Sequence, residues 1–218
     1  MLAVVFGATI QVSLLKSQCV TIQGRYPIQE CSIYLDGTAI AKMGPKKSYR
    51  TQQFYQRLGA TEHPQMVKIL SITSNLVIME PCVQFISEFR RITAEELNYS
   101  IPQLLDSLIA YALGFMDISF EFMASSILLC KNKGDFKLVK ILPCIGTSKT
   151  LDEQITELVD QIESLLILQM GKESYKAEFS DFINFKFQLS TISYLEGMNN
   201  SMDIYISHVK QLGYKLIK

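Results

Sequence analysis

The stretch Ser119 to Leu129, SFEFMASSILL, has the frame of a chemical loop. Polar residues run straight into the apolar triplet Ile127-Leu128-Leu129, the pattern of a loop feeding a short buried strand. Its reactive groups are few. Glu121 offers a carboxylate that can accept a proton, and the serines offer hydroxyls. His63 and His208 are the two imidazoles of the chain, too few for a multi-histidine metal site. Cys19, Cys31, Cys82, Cys130 and Cys144 form an odd set at irregular spacings with no C-x-x-C pair. Neither a disulfide framework nor a zinc site is indicated, and a reducing compartment fits best.

The elements that must position these groups come from a chain of ordinary globular composition. Of 218 residues, 48% are hydrophobic and 19% charged, with 21 basic residues balancing 21 acidic ones. Such a chain buries a real core, and its balanced charge gives no pull toward nucleic acid or anionic membrane. The opening MLAVVFGATIQVSLL lacks a basic leader and is too short to span a bilayer, so it reads as a β-hairpin turning at Gly7-Ala8. CSIYL and TAIAKM flank Asp36-Gly37, the signal of a tight two-residue hairpin. LVIM, Leu76 to Met79, is a short apolar run that reads as a buried strand.

Helices dominate the second half. Thr93 and Glu96 have capping-box spacing, and Leu97, Ile101, Leu104, Leu105, Leu108 and Ala112 then recur on one face. Pro102 should kink this helix or mark its true start. SILL and FKLVKIL flank Asn132-Lys133-Gly134-Asp135, a second hairpin signal. Another capping spacing, Thr150 to Glu153, opens a helix with Ile155, Leu158, Val159, Ile162, Leu165 and Leu166 inward and Gly171 at its close. The remainder reads as two more helices, with Phe182, Phe185 and Phe187 as an aromatic core cluster.

From about Thr21 to Gly171 this order resembles the eukaryotic protein-kinase fold. SIYL-DG-TAIAK looks like the second and third small-lobe strands, with Lys42 in the place of the phosphate-binding lysine. EHPQMVKIL is similar to the segment after the small-lobe helix, and LVIMEPC to the last small-lobe strand and hinge. There Met79 would be the gatekeeper, and the Glu80 carbonyl and Cys82 backbone would face an adenine. RRITAEELNYSIPQLLDSLIAYAL resembles the long helix leading into the catalytic loop. The resemblance implies an α+β, two-lobed kinase-like fold: an extension or extra hairpin at 1–19, a small antiparallel β-rich lobe at 20–81 and a compressed, mainly helical lobe at 82–218.

Aligned on Ile127-Leu128-Leu129, SFEFMASS lies over the family's H-R-D-L-K-P-E-N. Ser119 takes the histidine's place, Phe120 the arginine's, Glu121 the catalytic aspartate's, Met123 the lysine's and Ser126 the metal-binding asparagine's. Lys140 stands where D-F-G supplies a magnesium-binding aspartate, and Tyr26, Ile28 and Cys31 replace the phosphate-loop glycines. Gln53 or Gln56 occupies the place of the glutamate that pairs the lysine, and Glu157 that of an aspartate bracing the catalytic loop.

Phosphoryl transfer needs oxygens that hold magnesium against the triphosphate, and Ser126 and Lys140 do not supply them. The resemblance therefore implies a catalytically inactive pseudokinase: a cytoplasmic protein-binding scaffold or regulator in signalling, with no required cofactor and no magnesium. Its nucleotide contacts at Lys42, Glu80 and Cys82 would be vestigial, leaving room for weak ATP binding. The expected partner is a protein, such as an active kinase, rather than nucleic acid or membrane. Two alternatives stand beside this reading. One is an atypical kinase using Lys42 and Glu121, and the other a helical interaction module unrelated to kinases.

Overall fold

The computed structural model describes residues 2–5, 8–11, 18–22, 28–35, 39–43, 49–72, 76–86, 91–132, 135–146, 149–196 and 202–217, with side chains only beyond residue 51. The chain is mixed α+β and divides into two compact units. The first comprises Met1–Val83 and Cys130–Phe136, the second Gln84–Leu129 and Lys137–Lys218.

In the first unit, β1 (Leu2–Val5) and β2 (Ala8–Gln11) form the expected antiparallel hairpin. Val5 pairs with Ala8, so Ala8 opens the second strand rather than turning the chain. A five-stranded antiparallel sheet follows from β3 (Gln18–Ile22), β4 (Ile28–Leu35), β5 (Ala39–Met43), β6 (Ile69–Ile72) and β7 (Leu76–Met79), in the order β3-β4-β5-β7-β6. Leu35 pairs with Ala39, so positions 36–38 link β4 to β5, one more residue than the tight turn expected at Asp36-Gly37. That turn itself lies outside the described residues. Between β5 and β6 runs α1 (Tyr49–Ala60), which buries Phe54, Tyr55 and Leu58 and packs on β6. Burying each such large side chain contributes roughly 1.5–3 kcal/mol.

The strands β8 (Cys82–Gln84), β10 (Ile127–Asn132) and β11 (Asp135–Ile141) make a sheet ordered β11-β10-β8. A shorter ladder pairs β9 (Phe120–Glu121) with β12 (Cys144–Ile145). The second unit is built around α2 (Ala94–Gly114), whose capping box is complete: Glu96 N–H donates to Thr93 Oγ1 at 3.1 Å, and Thr93 N–H donates to Glu96 Oε2 at 3.1 Å. Pro102 sits inside this helix rather than at its start. The cap already satisfies the N-terminal donors, and the apolar stripe continues unbroken past the proline. Leu97, Ile101, Leu104, Leu105 and Leu108 are all buried.

The Thr150–Glu153 box opens α3 (Leu151–Met170), with Thr150 N–H donating to Glu153 Oε2 at 2.8 Å. Gly171, at φ +82°, closes it with a backbone that favours glycine. The short α4 (Lys172–Glu178) was not foreseen. The two expected tail helices are α5 (Ser180–Glu196) and α6 (Met202–Tyr214). Phe182 and Phe185 are buried with ring centroids 6.1 Å apart, but Phe187 is 71% exposed and stands outside the expected cluster. Among the described residues, no helix is long and apolar enough to cross a membrane.

Candidate functional site

Within the first unit, Lys42 lies on β5, paired with Ser32 of β4 and Val77 of β7. Its backbone therefore belongs to an interior strand, while its side chain lies outside the described residues. Tyr26 lies outside them altogether. Ile28 and Cys31 belong to the ladder of β4, opposite Ile22 and Cys19. Gln53 and Gln56 are both exposed on α1, opposite in character to its buried Phe54, Tyr55 and Leu58. Met79, expected as a gatekeeper from the resemblance, is buried at the end of β7.

Glu80 is tied to the adjoining segment twice. Its N–H donates to the Lys68 carbonyl at 2.9 Å, and its Oε1 accepts from Lys68 N–H at 2.8 Å. Cys82 is bonded to Cys130, 48 positions away, with Cα atoms 3.9 Å apart. This disulfide corrects the expectation that none would form. Spacing gave no sign of it, because β8 and β10 become neighbours only when the intervening helix and loop have folded. Glu80, Cys82 and Cys130 also present one carboxylate oxygen and two sulfurs, all within 4.8 Å of one another.

Within the second unit, the SFEFMASS loop packs by alternation. Phe120, Phe122 and Ala124 are buried, whereas Glu121, Met123 and Ser126 are half-buried. The rings of Phe120 and Phe122 join Tyr111 of α2 and Phe115 just past its end, with centroids 6.0 to 6.5 Å apart. The two edge-on pairs, Tyr111–Phe120 and Phe115–Phe120, add about 0.5–1.5 kcal/mol each beyond their area. Phe120, expected in the arginine's place, is thus a core residue, and the loop is seated by packing rather than by charge.

A side-chain amide braces the same loop: Ala124 N–H donates to Gln161 Oε1 of α3 at 2.9 Å. Glu157, one helical turn earlier, is the residue that the resemblance puts in the place of a bracing aspartate. Glu157 instead accepts from Lys149 Nζ at 2.5 Å. That bond chiefly holds the Lys149 pKa above its usual value, against the opposing pull of burial, and the Glu121 carboxylate adds to the rise. Residues 157 and 161 share a helix face, so the four-residue step was the available clue to Gln161.

Glu121 pairs with Cys144 across β9 and β12, and Gly146 N–H donates to the Ser119 carbonyl at 3.0 Å. Ser126 is engaged through its backbone, donating to the Met123 carbonyl at 2.9 Å and accepting from Leu142 N–H at 3.1 Å. Lys140 is only 4% exposed on β11. On either side of it the strand is anchored to α2, with Val139 N–H donating to Gln103 Oε1 at 2.9 Å and Ile141 N–H to Ser107 Oγ at 3.2 Å. Helix side chains here satisfy strand donors that would otherwise be buried without partners.

A cleft of about 650 Å³ also lies in this unit, lined by Glu95, Glu96, Tyr99, Asp181 and Ile217 among others. It contains none of Glu121, Ser126 and Lys140. Compared with known proteins, the sequence matches no family model and no curated protein.

Proposed function

We propose that this chain is a protein-kinase-like domain without phosphotransfer activity, a pseudokinase that serves as a protein-binding scaffold or regulator in signalling. The element order supports the frame: the strand pair carrying Lys42, then α1, then β6 and β7 leading to Glu80, followed by capped α2, the loop into β10, the β10–β11 hairpin and capped α3. The observation that carries the inactive reading is Lys140. A buried ammonium on β11 stands where the resemblance calls for a magnesium-binding carboxylate. A cation there repels a divalent metal, and the hydroxyl of Ser126 is a weak substitute for an amide oxygen. Magnesium does not fit these residues.

The loop's construction agrees with this reading. Aromatic packing and Gln161 preserve its shape without the polar residues that catalysis would need. Folds outlast active sites because packing and chemistry rest on different residues. The half-buried Glu121 carboxylate is what an atypical kinase would use, although it reaches further than aspartate, and about 1 Å of misplacement costs on the order of a hundredfold in rate.

Thermal-shift titration with ATP, with and without magnesium, followed by radiolabelled phosphotransfer, tests the proposal. The expected result is no magnesium-dependent shift and no transfer above background. Metal-dependent turnover that disappears in Glu121→Ala would overturn it in favour of the atypical kinase.

A further inference from the structure

We propose that Glu80, Cys82 and Cys130 form a redox-gated site for a thiophilic divalent cation such as Zn²⁺, closed by the disulfide and opened by its reduction. This does not rest on the kinase-like reading. All three residues belong to the first unit, and their donor atoms lie within 4.8 Å of one another. A tetrahedral site with Zn–S of about 2.3 Å and Zn–O of about 2.1 Å places its donors about 3.6–3.8 Å apart. Rotating the two thiolates apart therefore opens a three-donor pocket without rebuilding the backbone, and water would complete the fourth position.

The surroundings favour a fixed site. Lys131 N–H donates to the Pro81 carbonyl at 2.9 Å, holding the two cysteine-bearing segments side by side. The bond from Lys68 N–H to Glu80 Oε1 orients the carboxylate, as partners of metal-ligating carboxylates do. Cys82 and Cys130 are 2% and 0% exposed, and thiolates so deeply buried need a compensating positive charge. Two sulfurs in the donor set select zinc or cadmium over magnesium or calcium.

The chemistry balances with a thiol reductant such as glutathione. Two glutathione molecules deliver two electrons and two protons, the S–S bond breaks, and the products are two protein thiols and one glutathione disulfide. Cation entry then displaces both thiol protons to solvent.

The test is a Cd²⁺ titration of the full chain, reduced with a phosphine or left oxidised, followed by sulfur-to-cadmium charge-transfer absorption, with Zn²⁺ as competitor. The reduced chain should take up cadmium at a site that zinc displaces, and the oxidised chain should not. Cys82→Ser should abolish the signal and Cys144→Ser should retain it. Glu80→Gln, which keeps the shape of the side chain, should weaken binding by about tenfold or more. Because a variant of buried Cys82 can fail to fold, Glu80→Gln and the oxidised wild type each provide an independent reading. Equal binding by oxidised and reduced chains, a signal that survives Cys82→Ser, or no binding to the reduced chain would each overturn the proposal.

Discussion

A methyl group at Gly146 would sit 2.6 Å from Glu121 Cβ and 3.1 Å from its backbone nitrogen, closer than packed atoms approach. The β9–β12 ladder that holds Glu121 therefore depends on the missing side chain across from it. Gly146→Ala should destabilise the chain by about 1–3 kcal/mol, the usual scale of overpacking, read as a lowered urea midpoint. An unchanged midpoint would mean that the two strands do not pack as described. Residues here differ in how far the sequence exposed them. The reading of SFEFMASS singled out Glu121 for its carboxylate but gave no sign that Phe120 and Phe122, on either side of it, pack against Tyr111. The glutamine that braces Ala124 was missed because Glu157, a charged residue at a suggestive position, was the more conspicuous choice on the same face of α3.

Between elements, Lys186 of α5 reaches back to α3, pairing with Asp160 at 2.7 Å and with Glu163. Burial is the largest influence on this lysine and lowers its pKa, but the hydrogen bonds and charges of Asp160 and Glu163 together outweigh it, leaving a net rise above 10.5. A folded-state pKa raised above the unfolded one gives stability that is full below the unfolded value and is lost as pH rises through the folded value. Lys186→Met should therefore cost about 1 kcal/mol near neutrality. The gap between wild type and variant in urea melts should hold at lower pH and shrink as pH rises above 10.5. A gap independent of pH would show that the ion pairs do not join the helices. Helices α2 and α3 were legible because capping boxes and apolar stripes are local. By contrast α4 is seven residues long and has no side-chain cap at its start.

Across the whole molecule, the bond from Cys82 to Cys130 joins positions 48 apart. In the chain-entropy account, opening a loop of that length removes about 4 kcal/mol of stability through the unfolded state. Urea denaturation with and without reductant should show a drop of that order, largely reproduced by Cys82→Ala in the absence of reductant. Identical midpoints would argue that the bond does not form.

The sequence by itself determined the α+β character, the capped limits of α2 and α3, and the strand pairs flanking Asp36-Gly37 and Lys133-Gly134. These are encoded within a few residues, through capping, alternation and turn preference. Tertiary structure alone decided that Cys130 meets Cys82 beside Glu80, that Gln161 reaches Ala124, that Lys140 is buried, and that Phe187 is not. Such pairings depend on which distant segments become neighbours in the sheet and against α2, and residues of common type at unremarkable spacings carry no local trace of that outcome.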